Sequence, residues 1–255
     1  MIFFKDKPTD KHEYHQHARL EVQRWSMFHA FVMLVAYALC LWLNSPIPLT
    51  LVMLGSFALL IISFWEIVPS DSVTLQPVQF WRVPANWVTL FRFLLICTIG
   101  LIAPIDPTQL AQHNWMYVIA GAGLLNICLD YVDGYFATRY ATTSVFGGYF
   151  DMESDAYFVS LYSMLLYMQG LLPIWVLTFG LLRYVYVVVL VVLRQNHKKE
   201  PRIFIMRFIA VLVMIAMLVP YVTPSLFFVP FVAISCIILN GSFTYSFILH
   251  VRQPG

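Results

Sequence analysis

The chain has 255 residues, of which 60% are hydrophobic and only 11% are charged. Because an ordinary soluble domain carries about 25% charged residues, this composition excludes a soluble globular fold of the usual kind. The formal net charge of +2 does not indicate a nucleic-acid partner. Apolar runs of about 18 residues or more can cross a hydrocarbon core roughly 30 Å thick, and such runs dominate this sequence.

Eight apolar runs predict eight transmembrane helices. Pro, Asn, Gly or charged residues bound each run, and the runs cover 26–44, 47–65, 87–103, 115–137, 148–169, 173–193, 203–220 and 225–249. Helices are expected because lipid satisfies no backbone hydrogen bonds, and the alternating pattern of barrel strands is not seen. The sequence therefore predicts an all-α, polytopic membrane helix bundle.

The polar stretches divide the chain into four parts. Residues 1–25 predict a cytoplasmic interfacial segment, either a helix lying on the membrane surface or a solvated leader to the first span. The first two spans, 26–65, predict an accessory transmembrane hairpin. The polar stretch 66–85 contains three prolines and predicts a cytoplasmic linker. Residues 86–255 then form a six-helix core, in which we expect the functional site.

The distribution of Lys and Arg predicts the orientation of the bundle. Basic residues precede the first and third spans and follow the fourth and sixth, whereas the loops at 45–46, 104–114, 170–172 and 221–224 contain none. By the positive-inside rule both termini and the charged helix ends are cytoplasmic. No signal peptide is expected, because charged residues fill the stretch before the first span. We expect a multi-pass protein of a bacterial inner membrane.

An acidic cluster occupies the boundary between the fourth and fifth spans. Five of the thirteen acidic residues fall within 130–155, although a carboxylate at membrane depth costs about 2.5 kcal/mol or more. Asp130 and Asp133 share one helix face, and Asp151 and Asp155 share another. The short connection predicts that these helices are antiparallel neighbours whose acid pairs meet at one depth. Glu153 points away from that face.

Four converging carboxylates need cations to offset their repulsion. Oxygen-only ligands suit hard divalent ions such as Mg²⁺ or Mn²⁺. Gly134, Ala137 and Gly147 remove side-chain bulk beside the acids and would let a ligand approach the backbone. Small residues are also common packing positions between membrane helices, so these three do not by themselves define a binding site.

The acidic segment resembles the CDP-alcohol phosphotransferase family, whose signature is D-x2-D-G-x2-A-R-x8-G-x3-D-x3-D. The sequence supplies every position of that signature except the arginine, for which Thr138 stands with Arg139 beside it. A second resemblance is the pattern Pro-Asn-x-x-Thr-x-x-Arg at the start of the family's first core helix. It is matched by Pro84, Asn86, Thr89 and Arg92. The two resemblances together cover about 86–250.

The resemblance implies a six-helix fold around a polar cavity that opens to the cytoplasm and holds two divalent ions. The implied metal ligands are Asp130, Asp133, Asp151 and Asp155, and Asp155 is also the implied general base. The residues expected to contact the CDP moiety are Asp130, Gly134, Ala137, Arg139, Gly147, Asn86 and Thr89. A homodimer is expected from the resemblance alone.

Three arginines in the later spans are candidates for binding the acceptor. Arg183 lies within the sixth span, Arg202 marks the start of the seventh, and Arg207 lies inside it. A buried Arg needs an anionic partner, which could be a phosphate or a lipid anion. Arg183 could instead form a structural ion pair with a motif acid, and Arg202 could be an ordinary positive-inside charge.

These features predict an enzyme of phospholipid synthesis. The favoured hypothesis is transfer of a phosphatidyl group from CDP-diacylglycerol to a small hydrophilic alcohol, either a polyol or a polyol phosphate, with release of CMP. An alternative keeps the chemistry and transfers a CDP-linked headgroup, of the choline or ethanolamine type, to a lipid alcohol. Hypotheses of another class are a divalent-cation transporter and an inactive membrane scaffold.

Overall fold

A computed structural model describes residues 11–64, 68–69, 77–78, 83–112, 114–139, 145–192, 204–223 and 225–252. Within these ranges there are nine α-helices: α1 Lys11–Leu43, α2 Ile47–Phe64, α3 Pro84–Ile102, α4 Pro107–Gln112, α5 Trp115–Arg139, α6 Val145–Met168, α7 Leu177–Val192, α8 Phe204–Leu218 and α9 Ser225–Arg252. Short 3-10 turns at Ile174–Val176 and Val219–Tyr221 precede α7 and follow α8. A two-residue antiparallel pair joins β1 Val68–Pro69 to β2 Pro77–Val78. The predicted all-α class is confirmed for the described residues.

The helices follow the eight predicted apolar runs closely, with differences at their ends. Pro84 begins α3, two residues inside the predicted linker, because proline is favoured at the first helical position. Residues 11–25 belong to the same helix as the first span. The short helix α4 lies in the predicted loop 104–114. The division into hairpin, linker and core stays a prediction.

Three helices in the described part of the chain are long and apolar enough to cross a membrane. These are Arg24–Leu43 in α1, all of α3, and Trp115–Tyr135 in α5. Shorter apolar helices cover Ile47–Ile61, Ile174–Val189, Phe208–Tyr221 and Phe228–Ile238. The chain is thus an integral membrane protein by length and composition of its helices, whereas the count of eight spans is not confirmed.

Helix α3 packs against both α5 and α6. At one end of the pair formed by α5 and α6, the Tyr162 hydroxyl donates to the Ile119 carbonyl at 2.8 Å. Ile119 is near the start of α5 and Tyr162 is near the end of α6, so the two helices run antiparallel, as the short connection predicted. Helix α5 packs more extensively on α3 than on α6, and it meets α6 directly at this hydrogen bond.

The two N-terminal helices are packed into the bundle and contribute to its core. Phe57 of α2 stacks on Phe93 of α3 and on Phe150 of α6, with ring centroids 3.8 Å and 4.4 Å away. Helix α1 packs against α6 and α7. Since aromatic pairs of this kind stabilise beyond their buried area, they hold α2 against α3 and α6.

A close approach of three helices occurs at Gly180 of α7. A Cβ atom at this position would lie 1.8 Å from the Tyr37 hydroxyl oxygen of α1 and 2.7 Å from the Ser160 Cα atom of α6. The Tyr37 hydroxyl donates to the Ser160 carbonyl at 3.0 Å. Only glycine fits at this point, because any side chain would overlap both neighbours.

Candidate active site

Arg92 lies at the centre of the acidic cluster. Its side chain is fully buried on α3, and its Nη1 atom lies 2.7 Å from Asp133 Oδ2 and 2.9 Å from Asp151 Oδ1. The same nitrogen lies 2.8 Å from Asp130 Oδ1, and Nη2 donates to Asp155 Oδ1 at 2.5 Å. One guanidinium therefore contacts all four aspartates of the motif.

The helix spacing explains why the four carboxylates meet. Asp130 and Asp133 are one turn apart near the end of α5, and Asp151 and Asp155 are one turn apart near the start of α6. Because α5 and α6 run antiparallel and both pack on α3, both pairs reach the same depth and face Arg92. The predicted confrontation of the two acid pairs is confirmed, since oxygens of Asp130, Asp151 and Asp155 lie within 4.8 Å of one another.

Asp133 occupies the inner side of the cluster. Its side chain is 6% exposed, whereas those of Asp130, Asp151 and Asp155 are 31%, 44% and 31% exposed. The Thr89 hydroxyl donates to Asp133 Oδ2 at 3.0 Å. Asp133 is therefore held from the interior, while the other three carboxylates face a more open space.

Helix α5 also holds the backbone of Arg92. The Asn126 side-chain amide donates to the Arg92 carbonyl at 3.1 Å, and Asn126 is itself buried. Within α3 the Thr89 hydroxyl lies 3.1 Å from the Ala85 carbonyl, an alternative acceptor for its single hydrogen. These contacts fix Arg92 and Thr89 relative to the acids.

The cluster fits divalent cations. Carboxylate oxygens of Asp130, Asp151 and Asp155 lie within 4.8 Å of one another and could hold an ion. The four carboxylates, when ionised, outnumber the single guanidinium by three charges. Hard ions such as Mg²⁺ and Mn²⁺ prefer such oxygen-only ligands, so the donor set matches the predicted metals.

Several residues were expected to contact the nucleotide. Those that the structure describes lie on α3, α5 and α6, the helices that form the cluster. Gly134 is exposed, and a Cβ atom added there would meet nothing within 4 Å. Gly147 is half-buried at the start of α6, Arg139 is exposed at the end of α5, and Asn86 is buried in the first turn of α3. The side chain of Ala137 lies outside the described residues. Their contact with a CDP moiety stays a prediction.

The arginines proposed for the acceptor have separate outcomes. Arg183 pairs through Nη2 with Glu153 Oε1, which is the structural alternative that the sequence left open. Its contact with the acceptor stays a prediction. Arg202 lies outside the described residues, and the side chain of Arg207 is not described, so both stay predictions.

The comparison with protein families decides the class of this site. The family model for CDP-alcohol phosphatidyltransferase matches residues 82–248. The chain belongs to this family. The matched segment runs from the start of α3 to near the end of α9 and contains Arg92 and all four aspartates, whereas α1 and α2 lie outside it. No curated protein matches the chain, and no solved structure does.

Two residues of this CDP-alcohol phosphatidyltransferase were not among the sequence-predicted site residues. Arg92 was noted only as part of the pattern that opens α3, because a single Arg near a helix end is ordinary in membrane proteins. The pattern Pro-Asn-x-x-Thr-x-x-Arg was the sequence signal that could have identified Arg92 as a site residue. His29 of α1 approaches Glu153 Oε2 to 3.7 Å, and a lone His within an apolar run gave no signal at all.

Proposed function

We propose that this CDP-alcohol phosphatidyltransferase transfers the phosphatidyl group of CDP-diacylglycerol to a small hydrophilic alcohol and releases CMP. The observation that carries the proposal is the convergence of Asp130, Asp133, Asp151 and Asp155 on a single buried guanidinium, with three of the carboxylates partly exposed. Four carboxylates around one guanidinium, three of them partly exposed, support binding of divalent ions and, with them, of a pyrophosphate.

Each of these residues would have a distinct role in the reaction. Asp130, Asp133, Asp151 and Asp155 would hold Mg²⁺ or Mn²⁺, and these ions would neutralise the pyrophosphate of the donor. Arg92 and Thr89 hold the carboxylates in place from the interior. Asp155 would accept the proton of the acceptor hydroxyl as general base. Open space at Gly134 would let the nucleotide approach the α5 backbone.

The proposed reaction balances as a substitution at phosphorus. The acceptor oxygen forms a bond to the phosphorus that carries the diacylglycerol, and the bond from that phosphorus to the bridging pyrophosphate oxygen breaks. CMP leaves with the bridging oxygen, and the proton of the hydroxyl passes to Asp155. The product is a phosphodiester lipid.

One observation supports a lipid donor. Tyr131 and Tyr135 lie next to the acids of α5 and are 80% and 57% exposed. Aromatic side chains of this kind suit the level of lipid headgroups, where a lipid donor would present its pyrophosphate.

A divalent-cation transporter is less compatible with the site. A transport path requires carboxylates at several depths of the membrane. The aspartates of α5 and α6 instead meet at one point around Arg92. The distribution of basic residues further supports a location of this point, and of both termini, on the cytoplasmic side.

The direct test is release of CMP by the purified full-length protein in detergent. CDP-diacylglycerol and CDP-choline are each supplied with Mg²⁺ or Mn²⁺, the first with a pool of polyols and polyol phosphates, the second with diacylglycerol. We expect CMP from CDP-diacylglycerol with a water-soluble alcohol, and no CMP after chelation. CMP from CDP-choline alone would reverse the roles of donor and acceptor, and no CMP from either donor would reject the proposed function.

A further inference from the structure

A second buried polar cluster lies on the face of α6 opposite the aspartates. It consists of Glu153 of α6, Arg183 of α7 and His29 of α1. Glu153 is 2% exposed and His29 is 4% exposed. Arg183 Nη2 pairs with Glu153 Oε1, and His29 Nε2 lies 3.7 Å from Glu153 Oε2. Neither His29 Nε2 nor Glu153 Oε2 has a hydrogen-bond partner within the described part of the chain. Tyr149 of α6 is a further polar neighbour of Glu153.

Glu153 connects this cluster to the candidate active site. It lies two residues from Asp151 and two from Asp155, a rotation of about 200° around the helix axis in either direction. A contact that holds Glu153 therefore sets the rotation of α6 and, with it, the direction in which both aspartates point. Among the described acids of α6, Glu153 is the one that faces away from the aspartate cluster.

His29 attaches the cluster to a helix outside the family-matched segment. Its ring packs edge-on against Tyr157 of α6 and Tyr184 of α7, with centroids 5.1 Å and 5.9 Å away. The ring therefore packs against both α6 and α7, beside the Glu153–Arg183 pair. A buried ion pair needs further polar contacts to offset its loss of water. The imidazole Nε2 lies 3.7 Å from Glu153 Oε2, longer than a hydrogen bond but close enough for an electrostatic contact with the carboxylate.

We infer that His29 is a positioning residue through which α1 completes the carboxylate site: it holds Glu153 against Arg183 and so keeps Asp151 and Asp155 directed at Arg92. The inference rests on one part of the proposed function, namely that the aspartates bind a divalent ion. It gives α1 a role in orienting the carboxylates, in addition to its packing on α6 and α7. Residues 82–248 alone would then form an incomplete site.

Direct binding of Mn²⁺ to the purified full-length protein tests this inference without any need for turnover. Free Mn²⁺ is measured by electron paramagnetic resonance during titration. We expect His29→Phe, which retains the ring contacts and removes the polar atoms, to weaken Mn²⁺ binding about tenfold, the lower end of effects seen for groups behind metal ligands. His29→Gln, which retains a polar nitrogen, is expected to restore most of the affinity. His29→Met replaces His29→Phe if the latter does not fold.

A matched control separates positioning from general packing. Tyr37→Phe also removes a buried contact between α1 and α6, but at Ser160 and Ser163, and Ser163 is about 12 Å along the helix from Asp155. We expect this variant to lower the melting temperature and to leave Mn²⁺ affinity unchanged. In a Glu153→Gln background, His29→Phe should have no additional effect on Mn²⁺ affinity.

Three outcomes would overturn the inference: wild-type Mn²⁺ affinity in the His29→Phe variant, equal weakening by Tyr37→Phe, or independent additive effects of His29→Phe and Glu153→Gln. A wild-type protein that binds no Mn²⁺ would overturn both this inference and the proposed metal site. Mn²⁺ binding without CMP release from any donor would leave the inference standing and reject only the proposed function.

Discussion

The Nη2 atom of Arg92 donates to Asp155 Oδ1 at 2.5 Å, so the one guanidinium in the cluster contacts the carboxylate proposed as general base. The Nη1 atom of the same guanidinium contacts the other three aspartates. A cation fixed on α3 thus organises acids from two other helices. Replacement of Arg92 should therefore lower the free energy of unfolding by an amount that depends on whether divalent ions are present.

Arg92→Gln is expected to destabilise the protein most strongly when divalent ions are absent. Loss of one partner from a buried ion pair costs about 3–5 kcal/mol, and the lower end applies because three of the carboxylates are partly exposed. Added Mn²⁺ should recover more stability in the variant than in the wild type, since it offsets the same charges. Thermal unfolding with chelator and with Mn²⁺ measures both quantities.

Arg139→Gln is the matched control for this prediction, because Arg139 is exposed at the end of α5. It should change the melting temperature little under either condition. An Arg92→Gln variant whose loss of stability is the same with chelator and with Mn²⁺ would show that Arg92 and the ions do not act on the same carboxylates.

Thr89→Val is expected to raise the Mg²⁺ concentration that CMP release requires. Valine retains the shape of threonine and removes the hydroxyl that lies 3.0 Å from Asp133 Oδ2. The loss of one hydrogen bond should cost about 1 kcal/mol of stability, and the Mg²⁺ concentration for half-maximal activity should rise about tenfold. Thr98→Val, at an exposed threonine of the same helix that bonds to the Leu94 carbonyl, should leave that concentration unchanged. An equal shift in the two variants would contradict the role of Thr89.

Gly180→Ala is expected to destabilise the contact of α7 with α1 and α6. The added Cβ would lie 1.8 Å from the Tyr37 hydroxyl and 2.7 Å from the Ser160 Cα atom, and overpacking of this kind costs about 1–3 kcal/mol. Gly55→Ala in α2, where nothing lies within 4 Å, is the control and should not destabilise. Thermal unfolding compares the two. A melting temperature of Gly180→Ala at or above that of wild type would contradict the described packing of α1 on α7.

The acid pairs could be predicted from the sequence because their positions depend on local helix geometry. Spacings of three and four residues place Asp130 with Asp133 and Asp151 with Asp155, and a short connection places the two helices antiparallel. The role of Arg92 could not be predicted in this way, because its approach to the acids depends on how α3 packs against α5 and α6. That packing joins residues distant in sequence, and the local pattern that contains Arg92 does not identify its partners.

The pairing of Glu153 was predictable in part. Helix geometry indicated that it points away from the other acids, and the sequence offered a motif acid as a possible partner for Arg183. The choice between that ion pair and an acceptor contact required the distance between α6 and α7. The approach of His29 could not be foreseen, since a single polar residue within an apolar helix does not identify its partner.

The most direct test of the central claim compares CMP release from CDP-diacylglycerol by the wild-type protein and by Asp155→Asn. The control is Asp106→Asn, at an exposed aspartate whose side chain contacts only Thr108 among the described residues. We expect the Asp155 variant to lose activity by a factor of about 100 or more while it remains folded, and the Asp106 variant to retain wild-type activity. Wild-type rates of CMP release from the Asp155 variant would contradict the claim that this carboxylate cluster performs the transfer.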